Sequence, residues 1–198
     1  MTLSPILPST YLVTPEPAAG LPCAAFIAQL EQSLDAGVRL VQLRAKTLSE
    51  PHYLALAEAV LACCHKHGAR LLLNAPASVA LALRADGVHL TSTRLMACHM
   101  RPLPSTMLVS VACHDARQVL HANRMGADLI TVSPVLPTAT HTEAAPLGWP
   151  RFAALAALTE IPVYALGGMN PQHLVQACAA GAHGIAAIRS LWGAAASI

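Results

Sequence analysis

The sequence is poor in charge. Twelve lysines and arginines and ten aspartates and glutamates make up 11% of its 198 residues, for a net charge of +2 with histidine neutral. Aromatic residues are scarcer still, at 4%. No basic stripe with interleaved aromatics occurs, so nucleic acid is not an expected partner. No apolar run reaches the roughly 18 residues of a spanning helix, because Arg, His, Asp or Gly breaks each candidate, so a membrane is not expected either. Residues 1–8 lack the basic start and long apolar stretch of an export signal. The expected compartment is therefore the cytoplasm, where free thiols are normal. Six cysteines, Cys23, Cys63, Cys64, Cys98, Cys113 and Cys178, include no C-x-x-C pair. The patch Cys63-Cys64-His65-Lys66-His67 falls where a helix should end, and the helix dipole favours histidine there. Structural or incidental thiols are the preferred reading over a zinc site.

What the sequence has in quantity is apolar residues, 55% of the total, enough for one sizeable core. Its length predicts a single domain over 1–198, with 1–9 as an N-terminal extension. Short β-rich runs alternate with Ala- and Leu-rich stretches of helical period. Strands are predicted at Thr10 to Val13, Val38 to Leu43, Arg70 to Leu73, Gly87 to Leu90, Met107 to Val111, Leu129 to Val132, Pro162 to Ala165 and Gly184 to Ile188. Helices are predicted over 26–36, 49–67, 77–83, 115–125, 149–159 and 171–180. Ser49 and Glu50 read as an N-cap with an acidic first turn, and Pro171 as a helix opener. Glycines 37, 68, 126 and 181 read as helix stops. The linker from Thr91 to Thr106 carries no clear helix, and a final helix is short or missing. Eight strands alternating with helices predict parallel pairing with right-handed crossovers, closed into an α/β (β/α)8 barrel. An open doubly wound sheet is the alternative.

In such a barrel ligands bind at the C-terminal ends of the strands. Strand two delivers Gln42, Arg44 and Lys46 at alternate positions. Two cations and an amide converging there suit a diphosphate, which Arg grips as a fork and Lys as a point charge. Strand three ends in Asn74, and strand four in His89-Leu90-Thr91-Ser92-Thr93-Arg94. Strand five ends in Ala112-Cys113-His114, where the histidine either meets a phosphate or moves a proton, or merely caps the next helix. After strand six comes a long polar loop, 133–141, the expected wall or lid of a site. Strand seven ends in Gly167-Gly168-Met169-Asn170 and strand eight in Ile188-Arg189-Ser190, both before predicted helix starts, where backbone N–H groups favour anions.

Tyr11-Leu12-Val13-Thr14, Val41-Gln42-Leu43-Arg44-Ala45-Lys46, Leu72-Leu73-Asn74, Ala85-Asp86-Gly87-Val88-His89-Leu90, Gly126-Ala127-Asp128, Ser133-Pro134-Val135-Leu136-Pro137-Thr138-Ala139-Thr140, Ala165-Leu166-Gly167-Gly168-Met169 and Ala180-Gly181-Ala182-His183-Gly184-Ile185-Ala186-Ala187-Ile188 follow one another in an order that resembles thiamine phosphate synthase and its TenI relatives. With Pro146-Leu147-Gly148-Trp149 and Ile188-Arg189-Ser190-Leu191-Trp192, the chain also resembles the synthase-like domain fused behind Nudix hydrolases, a resemblance under which a Nudix hydrolase is a candidate partner. The resemblance implies a (β/α)8 barrel that joins hydroxymethylpyrimidine diphosphate to a thiazole phosphate with Mg2+. It assigns the pyrimidine diphosphate to Gln42, Arg44 and Lys46 and its ring side to Asn74, and Arg94 and Cys113 are also expected among the substrate-binding residues. The thiazole phosphate goes to Thr138, Thr140, His141, Gly167, Gly168, Ile188 and Arg189. Arg44, Lys46 and His114 are the expected catalytic groups. The chain departs from the pattern at several places. The two Mg2+-binding aspartates fall at Ala75 and Arg94, which predicts no metal ligands there, since an alanine and a cation cannot hold a hard dication. The serine of the Ser-Thr-His motif falls at Ala112, the lysine of the loop at His141, and the second phosphate serine at Arg189. A TenI tautomerase is the other enzyme reading, but its catalytic histidine falls at Pro134. A non-catalytic barrel that binds thiamine-related phosphates is the alternative from outside enzymology.

Overall fold

The strands form on short apolar runs, seven of them four residues long and one of six. In the computed structural model, which describes residues 7–18, 20, 23–138 and 145–193, they are β1 (Thr10–Val13), β2 (Leu40–Leu43), β3 (Arg70–Leu73), β4 (Gly87–Leu90), β5 (Leu108–Cys113), β6 (Leu129–Val132), β7 (Val163–Leu166) and β8 (Gly184–Ala187). All neighbours pair in parallel, and β8 closes on β1 with Thr10 opposite Ile185. Between them lie α1 (Cys23–Asp35), α2 (Glu50–Lys66), α3 (Ala77–Leu83), α4 (Ser92–Ala97), α5 (Ala116–Met125), α6 (Gly148–Ala156) and α7 (Leu174–Ala179). The barrel is closed, so the open-sheet alternative falls away.

One expectation needs correction and two hold with a difference in detail. The linker after β4 does hold a helix, α4, with Thr91 as its N-cap accepting the Arg94 N–H at 3.3 Å. It is six residues long and buries only Leu95, so no apolar period marks it. Pro171 opens a 3-10 turn, Pro171–His173, before the short helix α7. Ser49 occupies the N-cap of α2 but makes no capping bond; its hydroxyl pairs with His52 Nδ1 at 2.9 Å instead. The predicted glycine stops hold: Gly37, Gly68, Gly126 and Gly181 all take positive φ. After β8 the chain makes a 3-10 turn, Arg189–Leu191.

Alternation along the strands sorts the core into two parts. Outward residues such as Val41, Leu43, Leu71, Leu73, Val109 and Val111 pack against the helices in a continuous apolar shell. Inward residues Tyr11, Leu40, Leu72, Leu108, Leu129, Tyr164 and Ala186 fill the lower lumen. Among the described residues the barrel is packed below and has a cavity at the strand C-termini. Residues 7–9, predicted as an extension, close the other end. Tyr164 donates its hydroxyl to the Pro8 carbonyl at 2.5 Å, Ile185 N–H donates to Ser9 O at 2.9 Å, and Leu7 packs on the lower cluster. Gly184 is where that segment crosses: a Cβ there would stand 2.0 Å from Ser9 O. Among the described residues all six cysteines are free and no three His, Cys, Asp or Glu side chains group as metal ligands. No helix of these residues is long and apolar enough to cross a membrane.

Candidate active site

The same alternation continues past the apolar floor into polar residues. Gln42, Arg44 and Lys46 follow Leu40; Asn74 follows Leu72; His89 and Thr91 follow Gly87; Ser110, Ala112 and His114 follow Leu108; Thr131 and Ser133 follow Leu129. Most of these line a cavity of about 950 Å³ at the C-terminal mouth, together with Thr138, Gly167, Gly168, Asn170, Ile188, Arg189 and Ser190. Gln42, Arg44, Lys46, Asn74, His114, Thr138, Gly167, Gly168, Ile188 and Arg189 therefore come together as expected. Thr140 and His141 lie outside the described residues. Arg94 reaches the site from α4 by donating from Nη1 to Asn74 Oδ1 at 3.4 Å.

Cys113 is a correction. It sits in the apolar shell with no exposed surface, on the opposite face of β5 from Ala112 and His114. Burial, with Asp115 adding to it, pushes its thiol up to about 12, so it is an inert core residue. The alternation read from Ser110, Ala112 and His114 would have placed it there.

On the β2 side, β1 holds the arginine in place. Thr14 Oγ1 accepts the Arg44 N–H at 3.0 Å, and Glu16 Oε2 pairs with the guanidinium at 3.3 Å. Glu16 also accepts the backbone N–H and hydroxyl of Thr47, both at 2.8 Å. Burial pushes the Glu16 carboxyl up, but the Thr47 and Lys46 donors and the Arg44 charge outweigh it and leave the group below the usual carboxylate range. Lys46 is exposed at the rim.

Across the mouth, His114 is held by β6. Its Nδ1 lies 2.8 Å from Ser133 O, and its own N–H donates to Gln118 Oε1 at 2.7 Å. A carbonyl only accepts, so Nδ1 carries a proton. The loop after β6 then locks onto the end of β7: Val135 N donates to Leu166 O at 2.9 Å and Leu136 N to Gly167 O at 3.1 Å. Gly167 and Gly168 both have positive φ, at 97° and 70°. A Cβ on Gly168 would meet Leu136 Cβ at 2.7 Å and Pro137 O at 2.8 Å. The glycine is thus demanded by the neighbouring loop, not by close approach of a ligand alone.

His89 was visible at the end of β4 but carried no role. It is 4% exposed, lines the cavity, and meets Ser110 Oγ through Nδ1 at 2.8 Å. Burial, with the Lys46 and Arg94 charges adding to it, pushes the ring down to about 3. Its folded value is below the ordinary ~6.5, so its contribution to stability is complete above that pH and is lost as pH falls towards 3, at ~1.4 kcal/mol per pH unit. Urea unfolding midpoints should fall between about pH 6.5 and pH 5, before carboxylates titrate. His89→Gln should flatten that part of the profile; equal slopes in parent and variant would mean that the ring is not held neutral.

The family model described as thiamine monophosphate synthase matches residues 10–191. The chain belongs to that family. A thiamine-phosphate synthase of Thermus thermophilus is 37% identical over 182 residues, covering 91% of this chain and 86% of that protein. One from Methanospirillum hungatei is 33% identical over 183 residues, covering 91% and 88%. A relative from Geobacter sulfurreducens is 40% identical over 185 residues, covering 92% and 86%. Among solved structures, thiamine phosphate pyrophosphorylase from Pyrococcus furiosus superposes with a TM-score of 0.75 at 20% identity, covering 96% of this chain and 90% of that one. Measured against the thiamine monophosphate synthase pattern, position 75 is an alanine buried in the shell, 4% exposed, and position 94 is a cation bonded to Asn74. No Asp or Glu among the described residues lines the cavity. Glu16, at its edge, is engaged by Arg44 and Thr47. These donors do not fit Mg2+, which takes carboxylate and water oxygens in a tight octahedron.

Proposed function

We propose that the chain is a transferase of the thiamine phosphate synthase type. The bond between the pyrimidine methylene carbon and the diphosphate oxygen breaks, diphosphate leaves with the electron pair, and the thiazole nitrogen then bonds to that carbon. The observation that supports this most directly is the placement of Arg44 and Lys46, with Gln42 and Asn74, on one side of the cavity, and of Gly168, Ile188 and Arg189 on another. One side suits a diphosphate and the other a monophosphate. Arg44 and Lys46 neutralise the charge that grows on the departing diphosphate, the usual source of most rate enhancement in such steps. Arg94 supplies a fixed positive charge beside Asn74.

The test is product formation from hydroxymethylpyrimidine diphosphate and thiazole phosphate by purified protein, with Mg2+ or with EDTA. Slow turnover of equal rate in both is expected, because an arginine does not bridge two oxygens as compactly as an ion. A strong rise with Mg2+ would show that other residues hold the metal. The lack of carboxylates among the described cavity residues also favours a second reading, a non-catalytic barrel that binds these phosphates and serves a Nudix hydrolase. Tight binding of both ligands without product would select it.

A further inference from the structure

A line of hydrogen bonds joins the rim of the cavity to its floor through one residue from each successive element. Arg94 Nη1 donates to Asn74 Oδ1 at 3.4 Å, and Asn74 Nδ2 to Gln42 Oε1 at 3.4 Å. Gln42 Nε2 donates to the Tyr11 hydroxyl oxygen at 3.2 Å, and that hydroxyl to Ser110 Oγ at 3.4 Å. Ser110 Oγ meets His89 Nδ1 at 2.8 Å. Gln42, Tyr11, Ser110 and His89 are buried, so water does not compete along the inner links. The three links at 3.4 Å are longer and weaker than ordinary hydrogen bonds, whereas the Ser110–His89 contact at 2.8 Å is short.

A guanidinium has donors and no acceptor. That fact sets the sense of the amide links, and the hydroxyl links can continue it. Asn74 must turn its oxygen to Arg94 and its nitrogen to Gln42. Gln42 must then give its own nitrogen to Tyr11, and Tyr11 its proton to Ser110. The serine hydroxyl, already accepting from Tyr11, gives its proton to His89 Nδ1. A neutral imidazole that accepts at Nδ1 carries its hydrogen on Nε2. Nε2 has no hydrogen-bond partner among the described residues, and the ring lines the cavity.

We infer that Arg94 is a positioning residue that sets the hydrogen-bonding sense of the cavity floor: through Asn74, Gln42, Tyr11 and Ser110 it holds His89 with its proton on Nε2, so that the floor offers a donor to a bound ligand. The ligand class that fits places an acceptor there, a ring nitrogen, a carbonyl or a phosphate oxygen. An aspartate at position 94 would do the reverse. A carboxylate only accepts, so Asn74 would turn its nitrogen outwards, each inner bond would change direction, and His89 would donate from Nδ1 and leave Nε2 bare. The sign of the charge at the rim thus selects the tautomer at the floor. The consequence for ligands rests on the transferase or phosphate-binding reading of this cavity; the tautomer itself does not.

The test is two-bond 1H–15N correlation on histidine-labelled, ligand-free protein at neutral pH, which reports the nitrogen that carries the proton. In the parent, Nδ1 of His89 should give the downfield resonance of a bare nitrogen and Nε2 that of a protonated one. Arg94→Lys, still a donor only, should keep that order. Arg94→Asp should exchange it. Asn74→Asp, nearly isosteric and still paired with Arg94, cuts the donor supply one link further in and should exchange the order as well, which keeps the test open if Arg94→Asp does not fold. A parent with the proton on Nδ1, or an Asn74→Asp protein of native circular dichroism with the parent's order, overturns the inference. Neither result bears on turnover, and lack of turnover leaves the tautomer result standing.

Discussion

Replacing Arg44 with alanine should weaken binding of the pyrimidine diphosphate by ~10- to 100-fold, read as Kd by isothermal titration calorimetry. The side chain lines the cavity and its guanidinium is held in place before any ligand arrives. A charge-assisted hydrogen bond contributes ~1.5–3 kcal/mol, and each ~1.4 kcal/mol is tenfold in affinity. Arg44→Lys should recover only part of the loss, because an ammonium cannot form the paired bonds of a guanidinium. Lys46→Ala should cost less. Lys46 is exposed, its charge is screened, and its contribution should fade as salt rises. An Arg44→Ala protein that binds the diphosphate as the parent does would move the diphosphate to another part of the cavity.

Gly168→Val should lower Tm by roughly 5–15 °C and remove phosphate binding at that end of the site. The residue has φ of +70°, where a side chain costs ~1–2 kcal/mol. Its new Cβ would stand 2.7 Å from Leu136 Cβ and 2.8 Å from Pro137 O, a forced overpacking of ~1–3 kcal/mol. In a chain of this length each ~1 kcal/mol shifts Tm by about 2–4 °C. The clash falls on the loop whose Val135 and Leu136 N–H groups are bonded to Leu166 and Gly167, so both walls of the phosphate end move together. Gly126→Ala is the control. It has φ of +75° with nothing within 4 Å of the new Cβ, so it isolates the backbone term. A Gly168→Val protein no less stable than Gly126→Ala would show that the β6 loop yields freely.

Much of this was legible from residue order. β1, β3, β4, β6 and α3 have the limits predicted from their sequence. β2 starts two residues later than expected because Arg39 bends back to the carbonyls of Leu34 and Val38, at 2.6 and 2.7 Å. α4 escaped notice since its signal is a cap and a single buried leucine, not a period. Within the site, the cations and amides of β2 and β3 were legible from their spacing and scarcity. Three things were not. Cys113 was drawn in by its neighbours although its register points it away. Tyr11 and Ser110 look like ordinary barrel residues, and only closure brings their oxygens to 3.4 Å across 99 positions of sequence. Glu16 sits in a loop whose path no pattern predicts, yet it decides how Arg44 stands.

That last contact makes ligand capture an exchange. Arg44 does not wait in water for an anion; a carboxylate already occupies part of it, and two bonds from Thr47 keep that carboxylate from swinging off. A phosphate bound at Arg44, as proposed, would compete with Glu16, and its affinity would be the difference between two anions on one cation. The resident carboxylate also spares Arg44 most of the rotamer entropy that an unrestrained arginine loses, up to ~2 kcal/mol, when a ligand orders it. On that proposal selectivity would follow: a singly charged carboxylate ligand would gain little by displacing another, whereas a diphosphate, with more charge and more oxygens, would gain more.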